Sequence, residues 1–112
     1  MTRYLISFDD GAMTVSEADL PDVAEAAHKV VYEAKDAGVW IFGGGLLSQS
    51  ASIVATDGTV TNGPYPETKA VIGGFSIIDV PSREEALAWA AKIAAACRCA
   101  QEVREIMDDP DS

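Results

Sequence analysis

Residues 71–90, VIGGFSIIDVPSREEALAWA, decide the fold. Val71 to Val80 is the longest β-prone segment of the chain, interrupted only by Gly73-Gly74. Pro81, with no N–H to give to a ladder, closes it. Ser82-Arg83-Glu84-Glu85 follows at once as a capping box, in which the Ser82 hydroxyl accepts from the Glu85 N–H. Leu87, Ala90, Ala91 and Ala94 then continue one apolar helix face. That face is mostly alanine, so the helix can lie close to its sheet. A strand running directly into a helix is half of a layered α+β domain.

The upstream half repeats the pattern. Tyr4, Ile6 and Phe8 alternate onto one face of a first strand, which Asp9-Asp10-Gly11 ends. Ser16-x-x-Asp19 and Leu20-Pro21 prepare a helix start. Leu20, Val23, Ala24, Ala27, Val30, Val31 and Ala34 then recur at helical spacing, a stripe about 120° wide, as expected of a helix lying on a sheet. Gly38 stands where a left-handed C-cap belongs. Val39 to Phe42 is a second strand, running into Gly43-Gly44-Gly45, where a close approach or a bend is expected. Ala51 to Ala55 and Thr59 to Thr61 flank Asp57-Gly58, a strong short-hairpin signal. Asn62-Gly63-Pro64 reads as a turn. Gln101 to Met107 forms the last strand, and residues 108–112 a solvated tail.

The order is strand, helix, strand, hairpin, long strand, helix, strand. This predicts an α+β, ferredoxin-like βαββαβ plait with an inserted hairpin, both helices on one face of an antiparallel sheet. Phe75, Ile77, Ile78, Trp40 and Phe42 supply apolar side chains to both faces. One helix layer cannot cover them all, so a homodimer through the open sheet face is expected.

Composition bounds the rest. At 112 residues, 48% hydrophobic and with mean hydropathy +0.09, the chain suits one domain, spanning 1–112, and is too apolar for disorder. No apolar run reaches about 18 residues, so no membrane span is written, and the apolar part of MTRYLISFDD is too short for a signal peptide. Net charge −10 repels phosphate backbones and argues against a nucleic-acid partner. Cys97 and Cys99 are the only cysteines. Their C-x-C spacing strains a disulfide, and zinc normally takes about four ligands where one histidine is on offer. Two unpaired residues in a reducing, cytoplasmic setting are expected, with no metal and no cofactor.

Thr61 to Lys69, followed by Gly73-Gly74-Phe75, is the densest run of unusual residues. Pro64 and Pro66 stiffen the loop, so Asn62, Tyr65, Glu67 and Lys69 form a plausible ligand wall, or else a hairpin connection with solvated charges. Glu67 and Lys69, two apart on extended chain, point to one side. His28 is the only histidine and sits about 100° from the centre of the first helix's stripe, a boundary position. The glycine clusters are not phosphate loops: no G-x-x-x-x-G-K-[ST] occurs.

Asn62-Gly63-Pro64-Tyr65-x-Glu67-Thr68-Lys69, Gly73-Gly74-Phe75-x-Ile77-Ile78-Asp79-Val80, Glu84-Glu85-Ala86-x-x-Trp89-Ala90 and Glu102-Val103-Arg104 together resemble the YCII-related family. More closely they resemble its branch named for an Asp-Gly-Pro-Phe motif. Ala37-Gly38-Val39 and Gly43-Gly44-Gly45-Leu46 fit the same pattern. The resemblance implies a small dimeric ferredoxin-like domain. For some wider relatives it implies enzymes of aromatic or chlorinated ring compounds with a His–Asp pair, and for some of the branch a link to extracytoplasmic-function sigma factors. Here Asn62 replaces the motif Asp and Tyr65 the motif Phe, and an amide cannot act as a general base. No matching motif places the His–Asp pair on His28.

Two functions follow as expectations. One is a dimer binding a small molecule or a partner in a cleft beside the Asn62–Lys69 loop with His28, as a regulatory accessory. The alternative is a small acid–base enzyme, of lyase or isomerase type, on a cyclic or aromatic substrate.

Overall fold

The long strand and its helix stand at the centre of the architecture. In a computed structural model that describes residues 1–47, 51–63 and 71–112, the elements are β1 (Thr2–Asp9), α1 (Leu20–Asp36), β2 (Trp40–Gly45), β3 (Ser52–Val54), β4 (Val60–Asn62), β5 (Ile72–Val80), α2 (Arg83–Cys97) and β6 (Glu102–Glu105). Four strands form an antiparallel sheet in the order β2-β5-β1-β6, and β3 and β4 form a separate hairpin. That order is the one a βαββαβ plait requires: each helix returns the chain across a strand inserted between its neighbours. The principal extents, 44 × 43 × 19 Å, describe a slab about one helix layer and one sheet layer thick.

Register assigns the two faces of the sheet. Tyr4 pairs with Ile78 and Ile6 with Ser76, while Leu5 pairs with Ile77 and Ser7 with Phe75. Since successive side chains alternate, Tyr4, Ile6 and Ile78 share one face, and Leu5, Phe75 and Ile77 share the other. The first face carries the core. Tyr4, Ile6, Ile78 and Val80 cluster with Val39, with Ala34 of α1 and with Ala86 and Ala90 of α2. Ile6, Val80 and Ala86 are fully buried. Alanine at positions 86 and 90 lets α2 approach the strands, but the buried face runs through Ala86, Ala90 and Cys97, whereas Leu87 and Ala91, expected on that face, are exposed. Fully burying Ile6 or Ile78 stabilises by roughly 1.5–3 kcal/mol each.

The helix ends follow their local chemistry. At the end of α1 the Gly38 N–H donates to the Lys35 carbonyl and the Val39 N–H to that of Ala34, with Gly38 at φ +75°. This is the paired bonding of a Schellman cap, and glycine adopts that φ without a Cβ penalty. At the start of α2 the Ser82 hydroxyl accepts from the Glu85 N–H at 3.2 Å. The reciprocal half of the capping box is not formed. The C-terminus of α2, which the sequence left unmarked by Gly or Pro, falls at Cys97, and Arg98 takes the left-handed conformation at φ 57°.

Several boundaries differ from the sequence expectations. Gly43–Gly45 do not end β2; they continue it, paired with β5, after a bulge between Trp40 and Phe42. That bulge sets the flanking rings on opposite faces, Trp40 opposite Ile78 and Phe42 opposite Ile77. Asn62 is the last residue of β4, paired with Ser52, and so belongs to the ladder. The Asp57-Gly58 hairpin forms: Ala55 N–H donates to Thr59, Gly58 sits at φ +89°, and Asp57 Oδ1 accepts from the Thr59 N–H at 2.9 Å.

Candidate ligand cavity between the first helix and the sheet

Helix α1 lies against the sheet along only part of its stripe. Val23 and Ala34 are buried, but Leu20, Ala24 and Lys35 remain exposed. The unpacked margin of the stripe borders a cavity of about 540 Å³. That volume lies within the range of roughly 300–1,000 Å³ typical of small-molecule sites.

The walls come from five elements, β5 adding Ser76 to the contributions of α1, β2, β1 and α2. Helix α1 contributes Leu20, Ala24, Val31 and Lys35, with His28 beside them; β2 contributes Trp40 and its glycine run. The end of β1 contributes Phe8, and α2 contributes Ile93 and Cys97, one helical turn apart. The glycines are what leave this space open. A Cβ on Gly43 would strike the Phe75 carbonyl and the Trp40 ring, whereas one on Gly45 would meet nothing within 4 Å. Gly43 therefore permits β2 to pair with β5, and Gly45 keeps the cavity unfilled.

The polar groups are few: His28, Lys35, Ser76 and Gln101. His28 and Lys35 are seven residues apart on α1. At about 100° and 1.5 Å per residue they stand on the same side of the helix, roughly 10 Å apart along its axis. Both are exposed, with Lys35 in the last turn, where a cation also meets the negative end of the helix dipole. Two exposed ion pairs tie α1 and its N-terminus to α2: Lys92 Nζ to Glu33 Oε2 at 3.0 Å, and Arg98 Nη1 to Asp19 Oδ2 at 3.1 Å. Lys35 has no ion-pair partner among the described residues.

Cys97 is buried at the cavity wall, and that burial, followed by the neighbouring Cys99, pushes its thiol above the ordinary value. Burial likewise raises Cys99, although Gln101 Nε2 donates to its sulfur at 3.5 Å and counteracts the shift. Both thiols are free. Neither has the lowered pKa that a nucleophilic cysteine needs. No group of His, Cys, Asp and Glu among the described residues is arranged to hold a metal ion. No helix among them is long and apolar enough to cross a membrane.

Of the side chains singled out in the sequence, His28 is at the rim of this cavity. Asn62 is exposed on the hairpin and does not line it. Tyr65, Glu67 and Lys69 lie outside the described residues, so the loop wall expected beside Asn62 does too. Sequence reading missed Lys35 and the cavity itself. Lys35 was legible as the residue seven beyond His28 on the same side of α1, but the gap between helix and sheet was not.

A comparison with curated proteins finds no match. Among protein families, the YCII-related domain matches residues 3–109, nearly the whole chain. With that span covered and the plait topology in place, the chain belongs to the YCII-related domain family.

Proposed function

We propose that this protein binds a small molecule in the cavity between α1 and the sheet, and does so as a homodimer paired through the open sheet face. The observation that carries the binding reading is the cavity itself: about 540 Å³, walled by Trp40, Phe8, Val31 and Ile93, with few polar groups. Apolar walls supply affinity by burying ligand surface, and the sparse polar groups orient it. The cavity replaces the Asn62–Lys69 loop as the centre of this proposal, while His28 is retained.

The acid–base alternative has less support. Such chemistry wants an imidazole oriented by a carboxylate. Among the described residues no carboxylate hydrogen-bonds to His28, and Asn62 stands where the family motif has an acid. Binding without turnover suits a ligand-responsive accessory, the role that the Asp-Gly-Pro-Phe resemblance links with sigma-factor regulation.

The test is titration with N-phenyl-1-naphthylamine, a neutral apolar dye whose emission rises on leaving water. Wild-type protein should bind it saturably at micromolar concentration. Gly45→Leu, which places a side chain into open space at the cavity wall, should abolish binding without unfolding the domain. Equal dye binding by wild type and Gly45→Leu would overturn the assignment.

A further inference from the structure

The chain carries 18 Asp and Glu against 8 Lys and Arg, so a wall drawn at random from its charged residues would be mostly acidic. The cavity is the reverse. Among the described residues its lining holds no carboxylate at all, and its cation-forming side chains are His28 and Lys35. The acids that neighbour these groups along the chain, Glu25, Glu33 and Asp36, are not in the lining, and Glu33 pairs with Lys92. Lys35, an exposed residue of the lining, has no ion-pair partner among the described residues.

From this charge pattern we infer that the ligand is an organic anion with an apolar body, its acidic head held at the rim by Lys35 and His28 and its body against Trp40, Val31 and Ile93. The inference rests on the cavity reading above and adds the ligand's charge to it. Two features support that orientation. Ser76 and Gln101 are the other polar side chains of the lining, and neither carries a charge that would neutralise Lys35. Lys35 and His28 stand about two helical turns apart, so a carboxylate, sulfonate or acidic phenol can accept from the Lys35 ammonium, from an imidazole N–H of His28 or from both, according to where its apolar part seats.

The charge preference has a direction that surface effects cannot imitate. A protein of net charge −10 attracts cations and repels anions at long range. A preference for an anion must therefore arise from the local lining.

The experiment displaces bound N-phenyl-1-naphthylamine with three ligands of one chain length: decanoate, decanol and decylammonium. Decanoate should outcompete decylammonium on the wild-type protein. Lys35→Met should weaken decanoate by up to about fivefold, the loss of one solvent-exposed ion pair, and leave decanol within about twofold. His28→Gln should act in the same direction. Lys35→Glu should invert the order of decanoate and decylammonium. Both positions are exposed, so the variants should fold, and circular dichroism confirms that they do. Equal displacement by decanoate and decylammonium, or variants that shift all three ligands alike, would overturn the anion assignment while leaving the cavity reading intact. Failure of the neutral dye to bind, or its indifference to Gly45→Leu, would overturn the cavity reading and this inference with it.

Discussion

The α-carbon of Gly43 packs so closely against β5 that a Cβ built on it would lie 2.6 Å from the carbonyl oxygen of Phe75. The same Cβ would lie 2.8 Å from the Trp40 ring. One contact is with backbone and cannot yield without moving the strand. Gly43→Ala should therefore destabilise the domain by about 3 kcal/mol, at the upper end of overpacking costs. Gly45→Ala meets open space and should stay within about 0.5 kcal/mol of wild type. Urea unfolding of the two variants measures the difference, and similar midpoints would contradict the close approach.

Cys97 gives a pH dependence with a definite sign. Its folded thiol is raised above the ordinary value of 9.0 by burial. A group raised on folding favours its neutral form in the native state, so its contribution is fully present below the unfolded pKa. As pH rises through 9.0 the unfolded thiol ionises first, and stability falls until the folded thiol also titrates. Unfolding free energy should decline above about pH 8.5, and Cys97→Ala should flatten that decline. Alkylation by iodoacetamide at pH 7.5 should be slow in the folded protein and rapid in urea. Fast labelling of the native thiol would refute the buried, protonated state.

Arg98 ends α2 at φ 57°, a conformation that costs most side chains about 1 kcal/mol. Its side chain offsets little of this, because the pair with Asp19 is half exposed and such pairs contribute about 0–1 kcal/mol. Arg98→Gly should be as stable as wild type or more so, and Arg98→Asn close to it. Arg98→Val should lose about 1–2 kcal/mol, since a β-branched residue tolerates this region poorly. Thermal melts of the three variants give the order directly, and a valine variant as stable as the glycine variant would mean that the turn is not held.

These cases show which features are legible in sequence. The elements of the plait are written in periodicity: Tyr4, Ile6 and Phe8 alternate, the α1 stripe repeats at 3.6, and Gly38 and Ser82 mark helix ends through their own hydrogen bonds. Arg98 is not legible, because a cap without glycine is imposed by packing and leaves no local signal. Gly43 is half legible. Three glycines announce a close approach, but only the register with β5 says that Gly43 makes it and Gly45 does not. The cavity was hidden for a related reason. An apolar stripe looks the same whether it packs into the core, as at Ala34, or borders the cavity, as at Val23, Ala24 and Val31. His28 could be placed at a boundary, but what lay across that boundary depends on α2 and β2, far away in sequence.

The proposed dimer has the sharpest test. Leu5, Phe75 and Ile77 share the face opposite the core, and Phe42 beside them is 62% exposed, its ring 6.0 Å from that of Phe75. Asp79, on the same face opposite Arg3, has an Oδ1 that is buried without a hydrogen-bond partner among the described residues, a costly state that a donor from a second copy would relieve. Two-fold pairing sets this face against itself, so any charge placed there is introduced twice at the interface. Ile77→Glu should weaken association by at least about 100-fold, from two buried carboxylates at roughly 1.4 kcal/mol or more each. Leu87→Glu, on the exposed side of α2, should leave association unchanged. Sedimentation at micromolar concentration should give about twice 11.8 kDa for wild type and Leu87→Glu, and 11.8 kDa for Ile77→Glu. A wild-type monomer would refute the pairing, and a dimer that survives Ile77→Glu would move the interface off this face.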